Sequence, residues 1–132
     1  MAVYYFRNTG NQNWGTASNW SLTNGGGATG AVPTAADDAI FTNNSANCNV
    51  NVAGVCKTIT FTTYTNTITM TNNITVSGNV TLGASMGIAG TGILVVNATG
   101  TLTSNGKVWS NGLNLRGIST FTLADNWAVT GN

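Results

Sequence analysis

The sequence predicts an all-β protein whose body is a right-handed β-helix, a β-solenoid with coils of about 20–21 residues, preceded by an irregular N-terminal cap. Three observations lead there: a Thr/Asn-rich composition almost without charge, a period-two alternation of apolar residues, and apolar columns on a longer repeat. Of 132 residues, 23 are Thr and 20 are Asn, and only 5% are charged. Ordinary soluble domains carry roughly 25% charge. The hydrophobic fraction of 42% is enough for a core. Disordered chains are usually charged and poor in β-branched residues. This chain is full of Thr, Val and Ile, which suit pleated surfaces.

The alternation begins at residue 56. Thr58, Thr60 and Thr62 interleave with Ile59 and Phe61, and Thr67, Thr69 and Thr71 interleave with Ile68 and Met70. Ile74 and Val76 then flank Thr75, and Val80 and Leu82 flank Thr81. Strict alternation marks strands buried on one face. Asn, Gly and Ser interrupt the runs too often for antiparallel hairpins of ordinary length.

The longer repeat supplies the winding. Phe61, Leu82, Leu102 and Leu123 recur at 21, 20 and 21 residues; Ile68, Ile88, Val108 and Val129 recur at 20, 20 and 21. Cys56, Val76 and Val96 follow at 20 and 20, and Ile74, Leu94 and Leu115 at 20 and 21. Columns of this kind are expected if each coil holds three short strands and each column stacks on an interior face, with Thr60, Thr81 and Thr103 outside. Residues 56–132 then form the solenoid stem, a stub about 18 Å long at ~4.8 Å per coil. A Thr-rich antiparallel β-sandwich is the alternative, because its local alternation is identical.

Residues 1–55 read as an N-terminal cap or attachment region. Short strands are expected at Val3–Arg7, Ala39–Thr42 and Cys48–Val52. The Gly-rich run TNGGGATGAVP between them has little regular structure to offer, and it lacks the Lys-Ser/Thr ending of a phosphate loop. Tyr4, Tyr5, Trp14 and Trp20, with Phe6, are the candidate binding residues. They form either an aromatic platform for attachment to a sugar or partner protein, or a plug over the first coil. Terminal repeats are normally atypical, which favours the plug. Trp109 and Trp127 lie in strand patterns and are expected to pack in the core or at an edge.

Asp37 and Asp38 are the only adjacent acids. They are a weak calcium candidate and a conceivable acid–base pair across a glycosidic bond. Adjacent strand residues face opposite ways, and acids that follow a Pro at the mouth of a strand more often cap a turn. A structural role is therefore expected. Cys48 and Cys56 would pair in an oxidising setting or, the preferred reading, serve as two small buried apolar residues. With no His and no Glu, no Ser or Cys has the usual acid–base partner, so no enzyme activity, catalytic residue or cofactor is expected. The net charge of +1 from scattered residues argues against a nucleic-acid partner. No apolar run approaches the ~18 residues of a membrane helix. The opening MAVYYFRNTGNQNW has no charged segment leading into an apolar one, an expectation of synthesis in a cytoplasm and exit by assembly or lysis. The closing run FTLADNWAVTGN keeps the alternation without an obvious cap, so that end is expected to be covered by further chain or by another protomer.

The stretches YYFRNTGNQNWGTASNW and VPTAADDAIF, followed by Thr-rich repeats, resemble phage virion proteins of the tail-fibre, head-fibre or decoration type. More loosely, two Trp flanking an Asn-rich turn, then Pro-x-x-x-Asp-Asp and an apolar strand, are similar to the opening of autotransporter-like β-helical adhesins. The resemblance covers about the first 45 residues specifically and the rest in style. It implies a non-enzymatic virion structural protein with a β-helical body, attached to capsid or tail proteins and assembled as a homo-oligomer, a trimer first. A host surface glycan is a further candidate partner. The alternative it implies is a bacterial cell-surface adhesin passenger, which would sit outside the cell.

Overall fold

A computed structural model describes residues 1–9, 12–116 and 120–131. The chain enters through β1 (Val3–Phe6), a 3-10 turn at Ala17–Asn19 and β2 (Trp20–Ser21). It then winds. The first coil is β3 (Asp38–Phe41), β4 (Cys48–Asn49) and β5 (Gly54–Cys56); the second is β6 (Thr58–Phe61), β7 (Thr67–Met70) and β8 (Ile74–Val76). The third holds β9 (Val80–Thr81), β10 (Gly87–Gly90) and β11 (Leu94–Val96), and the fourth β12 (Gly100–Thr103), β13 (Val108–Trp109) and β14 (Leu113–Leu115). A further partial coil contributes β15 (Phe121–Leu123) and β16 (Ala128–Val129).

The strands of the coils pair in parallel with their equivalents one coil away, and among the described residues only β1 and β2 run antiparallel. This is a β-solenoid of about four turns, not an antiparallel sandwich. One face is a seven-stranded sheet in the order β15-β12-β9-β6-β3-β1-β2; another runs β14-β11-β8-β5; the remaining face holds β10-β7-β4 and, separately, β13-β16. Inward positions form one continuous core from Phe6 and Trp20 through Phe41, Phe61, Ile68, Val76 and Leu94 to Trp109.

The near-absence of charge has a physical reason in this stacking. A parallel in-register ladder sets equivalent residues about 4.8 Å apart, where like charges repel. Neutral Thr and Asn avoid that cost and also bond from coil to coil. Thr58 donates to the Asp38 carboxylate at 2.7 Å, and the Asn47, Asn73 and Asn79 side-chain oxygens accept from the backbone N–H of Thr67, Ile93 and Thr101. The outer ladder Thr60–Thr81–Thr103 is in register as expected.

The parallel stack extends below residue 56: β6 stands on β3, and β3 on β1. Two expectations need correction. Leu102 lies opposite Val80 and Leu123, not Leu82; Leu82 follows Thr81 and occupies the level of Phe61. Leu115 lies opposite Val96, and Leu94 opposite Leu113. The first slip comes from the corner between the β14-β11-β8-β5 face and the seven-stranded face: column positions lie three residues apart at Cys56 and Ile59, four at Val76 and Val80, and six at Val96 and Leu102. The second comes from the opposite change further on: Leu94 lies fourteen residues after Val80, but Leu113 only eleven after Leu102. Finally, Trp109 rather than Val108 is buried, while Val108 and its predicted column-mate Val129 are exposed.

Candidate functional site

The capped end gathers most of the residues singled out in the sequence. Phe6, Phe41 and Phe61 occupy inward positions on β1, β3 and β6, successive rows of one sheet. Their rings stack at 5.1 and 4.8 Å, with interplanar angles of 27° and 23°. The spacing is that of the strands themselves, so equivalent aromatic residues in adjacent rows stack without distortion. Trp20 stands edge-on to Phe6 and Phe41, at 5.1 and 5.8 Å, and Trp14 edge-on to Trp20 at 4.9 Å. Edge-to-face contacts of this kind suit the ring quadrupoles.

Hydrogen bonds lock the plug. Trp20 Nε1 donates to the Trp14 carbonyl at 2.8 Å. The Trp14 N–H donates to Asn49 O and the Asn49 N–H to Gln12 O, both at 2.8 Å, which lays residues 12–14 across the first coil as an added row. Gly54 leaves the space for it: a Cβ there would stand 3.0 Å from the Trp14 indole and 3.2 Å from Ile74. Trp14 and Trp20 are 2% and 0% exposed, so neither offers a ring face to a ligand. Tyr4 and Tyr5 remain half-buried, with Tyr4 edge-on to Trp20 at 6.5 Å.

The two acids part company. Asp37 accepts from the Ala2 N–H at 2.7 Å on one oxygen and from the Thr34 hydroxyl and N–H at 2.6 and 3.1 Å on the other. It closes the turn after Pro33 and ties down the N-terminus. Its bond from the Thr34 hydroxyl, then that from Ala2, holds the carboxyl below the usual carboxylate range. Asp38 bonds the Thr58 hydroxyl in the next coil instead. Among the described residues no group of three or more His, Cys, Asp or Glu could hold a metal ion, and no helix is long and apolar enough to cross a membrane. Cys48 and Cys56 are free, buried thiols, and burial pushes both upward in pKa.

The other end is built differently. Two residues beyond Leu102 and Leu123 on paired strands stand Ser104 and Asp125, where earlier coils carry Phe41, Phe61 and Leu82. The Asp125 carboxylate accepts from the Ser104 N–H at 2.8 Å and the Asn105 N–H at 2.7 Å. The Ser104 bond is the main reason its pKa is lowered. Leu115 and Leu123 are 44% and 57% exposed there. Trp127 is half-buried against the core, and its buried indole N–H has no hydrogen-bond partner among the described residues.

Beside the plug lies a polar pocket of about 400 Å³, lined by Arg7, Asn8, Gly25, Gly26, Asn43 and Asn44. Sequence reasoning missed it, because its walls come from three loops separated by up to about thirty-five residues. One signal was present: Arg7 is the single charged residue among the first 36. Comparison of this chain with protein-family models, curated proteins and solved structures found no match.

Proposed function

We propose that this chain is a non-enzymatic structural module of a virion, a capsid-decoration, head-fibre or tail-fibre element that attaches to the particle and presents a β-helical surface. The observation that carries the reading is the sealed end. Trp14, Trp20, Asp37 and Asp38, the groups of the N-terminal segment best suited to binding or catalysis, are committed to closing and pinning the first coils. What remains outside is a rigid stem of Thr/Asn ladders, in keeping with the likeness of the opening stretches to virion surface proteins. On this reading its partners are capsid or tail proteins and further copies of itself, a trimer first, since few charges oppose packing of Thr/Asn faces.

Immunogold labelling of purified particles with an antibody raised against the 132-residue chain tests the location. Label at regular sites on heads or tails supports the reading; label confined to bacterial cell surfaces would replace it with the adhesin alternative. Mass photometry should give three times the chain mass, and a monomer at micromolar concentration rejects the trimer. Incubation with a polysaccharide panel should give no turnover. Reproducible hydrolysis abolished by Asp37→Asn or Asp38→Asn would show that the acids are catalytic.

A further inference from the structure

The polar pocket beside the plug is assembled by the sheet topology. β1 lies between β2 and β3, and it runs parallel to β3, so the residues leaving both strands, Arg7-Asn8 and Asn43-Asn44, emerge side by side. The Gly25-Gly26 loop is drawn back to the same place by Arg7, whose Nε donates to Gly26 O at 2.8 Å and whose Nη1 donates to Ser18 O. The Asn24 side-chain oxygen joins loop to strand exit, accepting from the Thr42 hydroxyl at 2.9 Å and from Asn44 Nδ2 at 3.2 Å. Behind them the Ser45 hydroxyl donates to Phe6 O at 2.6 Å, and the Ala46 N–H donates to Arg7 O. The frame is therefore fixed by protein–protein bonds before any ligand arrives.

Its chemistry is unbalanced. Arg7 makes no ion pair among the described residues, and all three side-chain carboxylates serve elsewhere: Asp37 at Thr34, Asp38 at Thr58 and Asp125 at Ser104. The guanidinium is oriented by neutral carbonyls, which leave its charge uncompensated. The exposed side-chain amides of Asn8 and Asn43 have no protein partner among the described residues. Each amide offers both donors and an acceptor, the match for vicinal hydroxyls, while a guanidinium matches a carboxylate. The volume suits a group of one or two sugar rings, near the lower end of the roughly 300–1,000 Å³ usual for ligand sites. A lone cation without an exposed aromatic ring gives nucleic acid little to hold.

We propose that this pocket binds a sugar residue bearing a carboxylate, such as a uronic or sialic-type acid at the end of an acidic surface glycan. The site deepens the virion-surface reading and rests on it only for the source of the glycan, since binding is measured on the isolated chain. The test is NMR titration of the 132-residue protein with D-glucuronate and N-acetylneuraminate, set against methyl glucoside, acetate and inorganic phosphate. At least one acidic sugar should shift the amide signals of Arg7, Asn8, Gly25, Gly26, Asn43 and Asn44 saturably, and added salt should weaken the effect. Arg7→Gln should reduce affinity about tenfold, the loss of one charge-assisted contact. Because Arg7 also holds the loop, Asn43→Ala is the second variant. Its exposed side chain makes no hydrogen bond among the described residues, so binding should weaken severalfold with the thermal midpoint unchanged. No saturable shift with either acid overturns the proposal. Equal affinity for methyl glucoside removes the role of Arg7, and equal affinity for acetate or phosphate reduces the site to an oxyanion site without sugar recognition; each rejects it. Particle labelling with sugar binding absent would sink this inference alone, and binding without labelling would sink the virion location alone.

Discussion

Removing the ring of Phe41 should do more damage than truncating Leu123, at the level of Leu102 in the last described row of the same sheet. Phe41 is fully buried, with the Phe6 and Phe61 rings on its two faces and Trp14, Trp20 and Tyr64 around it at 6.2, 5.8 and 5.4 Å. Truncating a buried Phe to Ala costs about 3–5 kcal/mol, through lost transfer energy and the cavity left behind. The upper half of that range is expected, because the neighbours are rings held on hydrogen-bonded strands and cannot collapse inward. Phe41→Leu keeps much of the volume and should cost about 1–2 kcal/mol. Leu123 is 57% exposed. Burying a whole Leu is worth about 1.5–3 kcal/mol, so Leu123→Ala should cost about 1 kcal/mol. Urea unfolding followed by circular dichroism gives all three values. Equal losses for Phe41→Ala and Leu123→Ala would refute the view that the aromatic stack anchors the solenoid.

Other outcomes follow from single sites. A Cβ at Gly100 would stand 2.5 Å from the Gly78 carbonyl oxygen in the coil before, so Gly100→Ala should lower stability by about 1–3 kcal/mol; Gly27→Ala, which meets nothing within 4 Å, should stay within about 0.5 kcal/mol by the same denaturation. A thiol reagent should find no reactive cysteine in the native protein and two after unfolding, because thiolate formation at Cys48 and Cys56 is opposed by burial; rapid native labelling would contradict the packing. Asp37 and Asp125 have lowered pKa values, so their stabilisation is complete above the unfolded carboxylate value of about 3.9 and is lost as pH falls through the folded values. With no His and no Glu, thermal midpoints should stay level from about pH 5 to 7 and drop only in acid; a step near pH 6 would count against this assignment.

The winding was legible because inward side chains alternate with period two and the coils are near-equal in length. The same alternation hid the register. Val80 and Leu82 both point inward, so a slip of two residues leaves every apolar residue inside, and the corner that lengthens before β12 carries no apolar signature. That is why the 20–21-residue spacing aligns Leu102 with Leu82 and not with its true partner Val80. At Trp109 the inward position moved by one residue relative to the series Ile68–Ile88, which a fixed period does not follow. The plug was readable from the aromatic content of an atypical terminal segment. The pocket was not, because Arg7, Gly26 and Asn44 meet through strand order and loop hydrogen bonds rather than through spacing.

The inward column that begins Phe41, Phe61, Leu82 and passes to Ser104 and Asp125 gives the rod a mechanical polarity. Each coil of a solenoid contacts only its neighbours, so stability is close to a sum of local terms. Here those terms decline along the axis, from stacked rings to a hydroxyl and a carboxylate. Pulled along its axis, this part of the solenoid should lose the rows of β15 and β16 before those of β12 and β9, leaving the coil under Trp14 and Trp20 until last. A grip on the aromatic end would transmit load through the strongest part of the molecule, while the opposite end would yield in steps and re-form when tension falls.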